Sequence, residues 1–229
     1  AYADSRIKSL GYAVADAKSV IASLKAQEGK RYGKVHSLLV ADGEALAPTR
    51  ENIRGSLQFL EGAGPRDVVL LFLAGHGVSD NAGTFLFLPG DTRLKDDRTV
   101  DPAKAISGSE IVSVLDAPGN RLVFIDACQS GGVDNDRLVR SLMDTNAFVF
   151  TSSRGTELSQ ERAELGHGVF TWSILSALKG EVAAAAQGSV SVLGLSGFVS
   201  LDVPRITNDE QHPGAYSLGF YDFPLAVTK

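Results

Sequence analysis

The stretch Arg121-Leu122-Val123-Phe124-Ile125-Asp126-Ala127-Cys128-Gln129-Ser130-Gly131-Gly132, RLVFIDACQSGG, decides how the rest of the chain is read. Leu122 to Ile125 are continuously apolar, and the run is too short for a helix. β-Branched and aromatic side chains in such a run predict a strand covered on both faces. At its end the chemistry changes abruptly to Asp126 and then to Cys128, the only cysteine in the sequence. Free cysteine packs well as a small hydrophobe. Its neighbours Asp126, Gln129 and Ser130 are not what an inert core cysteine requires. Two readings stay open at this point: a buried small side chain, or a nucleophile at the end of a strand.

The same pattern, an apolar run followed by a polar tip, occurs at DVVLLFLAGHG (67–77) and NAFVFTSS (146–153). KVHSLLV (34–40) and TFLFLPGD (84–91) read as further short strands, the second stopped by Pro89 and Gly90. Helices alternate with them. Ala17, Val20, Ile21 and Leu24 recur at i, i+3, i+4 and i+7, which is one helical face. Thr49 is placed to N-cap a helix whose Ile53, Leu57 and Leu60 face the core, and Gly and Pro in EGAGPRD (61–67) end it. Ser107 with Glu110 forms a capping box into EIVSVL (110–115), and GVFTWSILSAL (168–178) puts Phe170, Ile174 and Leu178 on one face. Helices recurring between short hydrophobic strands predict an α/β fold, a mostly parallel central sheet with helices on both sides. The absence of a repeat or of a clear linker favours one domain over 1–229, although EVAAAAQGSVSV (181–192) reads equally as helix or small-residue linker.

Composition narrows the function. With 229 residues and 44% hydrophobic content the chain can bury a large core, and its formal charge of −5 argues against a nucleic-acid surface. One cysteine and four scattered histidines, with no CxxC and no HExxH, leave neither a disulfide scaffold nor a structural zinc site. The sequence has no apolar run of transmembrane length and no signal-peptide pattern at AYADSRIKSLGYAV (1–14). The expectation is a soluble, cytoplasmic protein without membrane or nucleic-acid partners.

Three polar tips therefore close three core-like strands: Gly75-His76-Gly77, Asp126-Ala127-Cys128 and Thr151-Ser152-Ser153. The crevice beyond the carboxyl ends of strands is where open α/β sheets place their sites. A thiolate attacking a carbonyl needs an imidazole to take its proton, and His76 is the histidine in that register. Glycines beside it would let substrate approach closely and free backbone N–H groups for an oxyanion.

These residues resemble the caspase-like cysteine peptidases, the caspase and metacaspase family, and most closely their bacterial metacaspase-like (orthocaspase) members. DACQSG (126–131) is similar to the family's nucleophile segment, and His76 precedes Cys128 by 52 residues, against about 50 in animal caspases. LGYAVADAKSV, DVVLLFLAGHG, TFLFLPGD, LVFIDACQSG and LGHGVFTWSILSAL follow in the same order as the family's blocks, over residues 2 to 180. The resemblance implies a three-layer αβα sandwich, Cys128 as nucleophile, His76 as acid/base, and the backbone N–H groups of Gly77 and Cys128 as oxyanion hole. It implies no cofactor. It also implies a pocket for arginine, less certainly lysine, before the cleaved bond, lined by Asp16 and Asp126 with Ser152 and Ser153 as walls. Asp16 reads equally as a helix-start residue favoured by the helix dipole. The other reading of the same fold is a catalytically inactive signalling or interaction module.

Several features stand outside that core. The region 132–146 occupies the place of an activation or intersubunit loop, with Arg137 and Arg140 as candidate self-cleavage positions; the competing reading is a surface helix carrying Leu138, Val139, Leu142 and Met143. The family's usual hydrophobic first strand has no counterpart here, so a separate N-terminal segment supplying it, or fused regulatory domains, are expected partners beside a peptide with a basic residue. His167 reads as structural, His36 and His212 have no assigned role, and DDRTVD (96–101) reads as a solvated loop in preference to a calcium site.

Overall fold

The computed structural model describes residues 1–80, 82–97, 99–116, 118–129, 136–155, 157–181, 188–219 and 221–228, with Cys128, Gln129 and Asp136 described by their backbone alone. Its centre is a sheet in the order β3-β2-β1-β4-β5-β9, formed by β1 (Val68–Ser79), β2 (Phe85–Phe87), β3 (Ile106–Ser107), β4 (Asn120–Gln129), β5 (Ala147–Thr151) and β9 (Gly214–Tyr216). The long central pairings, β1 with β4 and β4 with β5, are parallel, as expected. The flanking pairings β1–β2, β2–β3 and β5–β9 are antiparallel. Two short ribbons stand apart, β6 (Glu161–Arg162) with β7 (His167–Gly168), and β8 (Ser189–Ser191) with β10 (Pro224–Val227).

Alternation along β4 sends its apolar side chains to two separate cores. Leu122 and Phe124 join Phe148 and Phe150 of β5 under α5 (Val169–Leu178) and α6 (Val192–Ile206). Val123, Ile125 and Ala127 face the other way, toward α2 (Arg50–Leu57), α3 (Gly108–Val114) and α4 (Asp136–Asp144). The first face also receives α1 (Ala13–Lys25), which packs on α5 and β1. The result is the expected α/β sandwich, a sheet with helices on both sides. Leu122, Val123, Phe124 and Ile125 are at most 1% exposed, and each such side chain contributes roughly 1.5–3 kcal/mol by leaving water.

Local signals read from the sequence hold where they are local. Thr49 caps α2 by accepting from Asn52 N, and Ser107 with Glu110 closes a capping box on α3. The helical reading of 137–143 is also met, since α4 buries Leu138, Val139 and Leu142 while Arg137 and Arg140 face solvent. Residues 132–135 of that region lie outside the described residues.

Two expectations are corrected. KVHSLLV forms no strand: among the described residues no other segment pairs with residues 34–40, and an extended backbone is held only by a neighbour's hydrogen bonds. The Gly-His-Gly tip, expected as a loop at which its strand ends, lies within β1, as the Asp-Ala-Cys tip lies within β4. The two strands stay paired as far as Gly77↔Gln129.

Candidate active site

Pairing fixes the first relationship. His76 and Cys128 are register partners across the parallel β1–β4 pair, and Ala74 is the partner of Asp126. Neighbouring strands lie about 4.8 Å apart. Two sequence-distant residues are thereby neighbours at the carboxyl end of the sheet.

The imidazole of His76 is held from one side. Its Nε2 is 2.7 Å from the carbonyl oxygen of Lys8, its ring lies 5.3 Å from that of Tyr2, and its backbone N–H donates to Tyr2 Oη at 3.0 Å. A carbonyl only accepts, so Nε2 carries a hydrogen and donates it. In a neutral ring that leaves Nδ1 as the bare acceptor. Nδ1 is buried and has no hydrogen-bond partner among the described residues. A buried unpaired imidazole nitrogen is placed to accept a proton from a reacting group.

The glycines beside His76 also have a packing reason. A Cβ on Gly75 would lie 2.7 Å from the Phe87 ring, and one on Gly77 2.5 Å from the Phe85 ring. The space is taken by β2 aromatic rings on the α3 side of the sheet, so these glycines serve packing.

The second part of the site is acidic. Asp16 sits in the first turn of α1 and is 2% exposed. Its Oδ1 is 2.6 Å from His167 Nδ1, and its Oδ2 accepts from Gly168 N at 3.2 Å. Asp126 Oδ2 accepts from Thr171 Oγ1 at 3.1 Å. The two carboxyls converge on Gly168, where a Cβ would come within 3.1 Å of Asp16 Oδ2 and 3.3 Å of Asp126 Oδ2.

Burial pushes the Asp16 carboxyl up to about 8, reinforced by the charge of Asp126 and opposed by the Gly168 N–H. Burial likewise raises Asp126, against hydrogen bonds from Thr171, Ser152 and Ser159. Burial, and then the charge of Lys179, lowers His167. Among the described residues no lysine or arginine pairs with either carboxyl. Two carboxyls raised side by side and held by neutral hydrogen-bond donors are an uncommon arrangement in an enclosed position.

Of the serines read as pocket walls, Ser152 belongs to this cluster, bonded to Ser159 Oγ as well as Asp126. Ser153 is buried too, but its hydroxyl donates to the Glu157 carbonyl at 3.2 Å. The turn between them and β6 is braced by Gln211, which donates to Ser152 O at 2.8 Å and accepts from Gln160 N at 2.9 Å. His212 adds contacts to Glu157 Oε1 at 2.8 Å and Asp209 Oδ1 at 3.0 Å, and these two carboxylates raise it.

Sequence reasoning missed Glu161, Thr171 and Ser159. Glu161 accepts from Gly11 N at 3.0 Å and Tyr12 N at 2.9 Å, and its charge acts on both Asp16 and Asp126. The signal for Thr171 was a hydroxyl on the apolar helix α5; no pattern pointed to the other two.

In the polar loop, Asp97 accepts from Thr99 N and Oγ1 and Asp101 caps the turn at Pro102–Lys104. Among the described residues no three acidic, histidine or cysteine side chains cluster as metal ligands, and no helix is long and apolar enough to cross a membrane.

Comparison with known proteins agrees with this architecture. The family model described as the caspase domain matches residues 2–221. No curated protein matches the sequence. The crystal structure of protein GSU0716 from Geobacter sulfurreducens superposes with a TM-score of 0.57 at 17% identity, covering 94% of this chain and 89% of that one. At that identity the likeness is one of fold.

Proposed function

The chain belongs to the caspase-domain family, and from that premise we propose that it is a cysteine endopeptidase cleaving after arginine, less readily after lysine, through an acyl-enzyme. The observation that carries the basic specificity is the pair Asp16 and Asp126, converging on Gly168 without a lysine or arginine partner among the described residues. A guanidinium offers five N–H donors in a planar fork and can engage both carboxyls at once. An ammonium is a single compact charge and engages them less well. Aspartate in the same place would be repelled.

The chemistry uses the other two residues. Cys128 as thiolate attacks the scissile carbonyl, with its proton taken up by His76 Nδ1, the unpaired buried nitrogen. The Lys8 carbonyl holds the ring through Nε2–H and steadies the imidazolium that forms. Backbone N–H groups of Gly77 and Cys128 would receive the oxyanion, which first requires the end of the β1–β4 pairing, where both lie, to release them. His76 then protonates the departing amine, and water releases the acyl group. The proton taken from Cys128 leaves with the amine, a proton from the attacking water passes through His76 to restore the Cys128 thiol, and no cofactor takes part.

A protein or peptide with a basic residue before the cleaved bond is the substrate this reading names. Self-cleavage after Arg137 or Arg140 would first require α4 to unwind, because both lie in its helical backbone. The test is a panel of fluorogenic peptides differing only in Arg, Lys or Asp before the scissile bond. Arg above Lys, with no turnover of Asp, supports the proposal. Preference for Asp overturns the acidic-pocket assignment, and no turnover of any peptide favours an inactive interaction module.

A further inference from the structure

His167 takes no part in the acyl-enzyme chemistry, yet its ring touches the acidic pair. Nδ1 lies 2.6 Å from Asp16 Oδ1, a contact that joins β7 to α1 across 151 residues. Both partners are anchored. Glu161 of β6 accepts from Gly11 N and Tyr12 N, which ties the β6–β7 ribbon to the start of the helix carrying Asp16. Val169 N donates to Gln160 O at 2.9 Å and closes the ribbon behind His167. The imidazole itself lies 6.2 Å from the Trp172 ring of α5.

The bond between the two side chains is one of neutral groups. Asp16 is 2% exposed, stands beside the second raised carboxyl Asp126, and has no lysine or arginine partner among the described residues, so it keeps its proton. Burial, and then the charge of Lys179 above the Trp172 ring, keep His167 uncharged. The remaining charged groups of the elements around the pair are Glu161 and Arg162 of β6. Arg162, the register partner of His167, is engaged by Glu164 at 3.7 Å and Gln160 Oε1 at 3.3 Å. Because Gly168 N donates to Oδ2, the carboxyl hydrogen belongs on Oδ1 and points at Nδ1. Nδ1 is then the bare nitrogen and Nε2 carries the hydrogen of the ring.

An arriving guanidinium reverses what Asp16 needs. The ionised carboxylate only accepts, so Oδ1 requires a donor where it had an acceptor. A hydroxyl makes that change by turning, as Thr171, Ser152 and Ser159 do for Asp126. An imidazole makes it by carrying its hydrogen on the other nitrogen. The His167 side chain is 17% exposed, and Nε2 makes no hydrogen bond among the described residues, so a proton leaving Nε2 passes to water.

We propose that His167 is a positioning residue of the arginine pocket, a tautomeric partner that accepts from the Asp16 carboxyl before a guanidinium arrives and donates to its carboxylate afterwards. This rests on the reading of Asp16 and Asp126 as the site for arginine. In the step, the O–H bond at Asp16 Oδ1 breaks and an N–H bond forms at His167 Nδ1. The N–H bond at Nε2 breaks and its proton leaves to water. The ring is neutral before and after, so it adds no charge to repel the cation, and Asp16 stays clamped at both oxygens in either state.

The experiment follows the ring nitrogens of His167 by nitrogen-15 spectroscopy at pH 7, below the value of about 8 for Asp16. It uses the full chain carrying Cys128→Ala, so that nothing is turned over, with and without acetyl-arginine amide. Binding is read from the Gly168 amide signal. Alone, His167 carries its hydrogen on Nε2; at saturating ligand it carries it on Nδ1. Binding without that exchange overturns the proposal and leaves the pocket reading standing, whereas no binding overturns both. In the chain with Cys128 intact, His167→Ala should raise KM for arginyl peptides about tenfold or more with kcat unchanged. His167→Asn, whose amide also accepts or donates, should recover most of that loss. Equal loss in the two variants, or a loss confined to kcat, overturns the proposal.

Discussion

His76 and Cys128 are register partners across the β1–β4 pair, and the His76 ring nitrogen without a hydrogen-bond partner among the described residues is Nδ1, the one that donation from Nε2 to the Lys8 carbonyl leaves bare. Parallel pairing of two strands thus brings together residues far apart in sequence, and a single carbonyl, that of Lys8, sets which ring nitrogen carries the hydrogen.

The tautomer is directly observable. Nitrogen-15 spectra of the histidines are expected to show the neutral form of His76 carrying its hydrogen on Nε2 and bare on Nδ1. The reverse assignment would remove the proton acceptor from the mechanism.

Substituting His76→Ala should lower kcat for arginyl peptides by about 10²- to 10⁴-fold, the usual range for a lost acid/base group, while Tm changes little. The check is steady-state kinetics beside a thermal melt. An unchanged kcat would remove His76 from catalysis.

Asp126→Asn and Asp16→Asn each take a charged hydrogen-bond acceptor from the guanidinium. Such bonds are worth about 1.5–3 kcal/mol, so kcat/KM for arginyl substrates should fall roughly ten- to a hundredfold. The Arg-to-Lys ratio should fall with it. Retention of full arginine selectivity in either variant would place that residue outside the pocket.

Gly168→Ala is the steric counterpart. Its Cβ would stand 3.1 Å from Asp16 Oδ2 and 3.3 Å from Asp126 Oδ2, in the space where the two carboxyls converge. Arginyl turnover should drop while a Cys128-directed reagent without a side chain still reacts at the original rate. Equal loss of both would show a general disturbance of the site.

The pH dependence has a definite sign. Asp16 has a native value of about 8 against 3.8 for the free side chain. Between these values the folded chain holds a proton that the unfolded chain has released, so stability contributed by the neutral carboxyl is full below pH 3.8 and is lost as pH rises through 8. Asp16→Asn should therefore flatten the fall in Tm between pH 5 and 8.5. Arginine binding requires the ionised form, so KM for arginyl peptides should fall over the same interval. A KM independent of pH would separate Asp16 from substrate binding.

What the sequence disclosed divides along physical lines. Caps at Thr49 and Ser107 and the amphipathic α4 were legible because their partners lie three or four residues away. The buried runs of β1, β4 and β5 were legible because burial on both faces leaves a continuous apolar pattern. The reason for Gly75 and Gly77 was not, since the Phe87 and Phe85 rings that exclude a Cβ come from another strand. Residues 34–40 have strand composition yet form no strand, because pairing is a property of two segments and composition of one. That His76, Cys128 and Asp126 lie near one another at the carboxyl end of the sheet was legible from the ends of apolar runs and the family's block order. The Asp16–His167 contact, the Thr171 hydrogen bond and the bridging role of Glu161 are made by tertiary packing, and no local spacing encodes them.

The most direct measurement is intact-mass analysis of the chain after exposure to a peptide electrophile ending in arginine, compared with the same electrophile ending in aspartate. The account predicts one adduct, on Cys128, formed with the arginyl reagent, slowed at least a hundredfold in His76→Ala, and not formed with the aspartyl reagent. Equal or faster labelling by the aspartyl reagent, or no labelling of Cys128 by either, would contradict it.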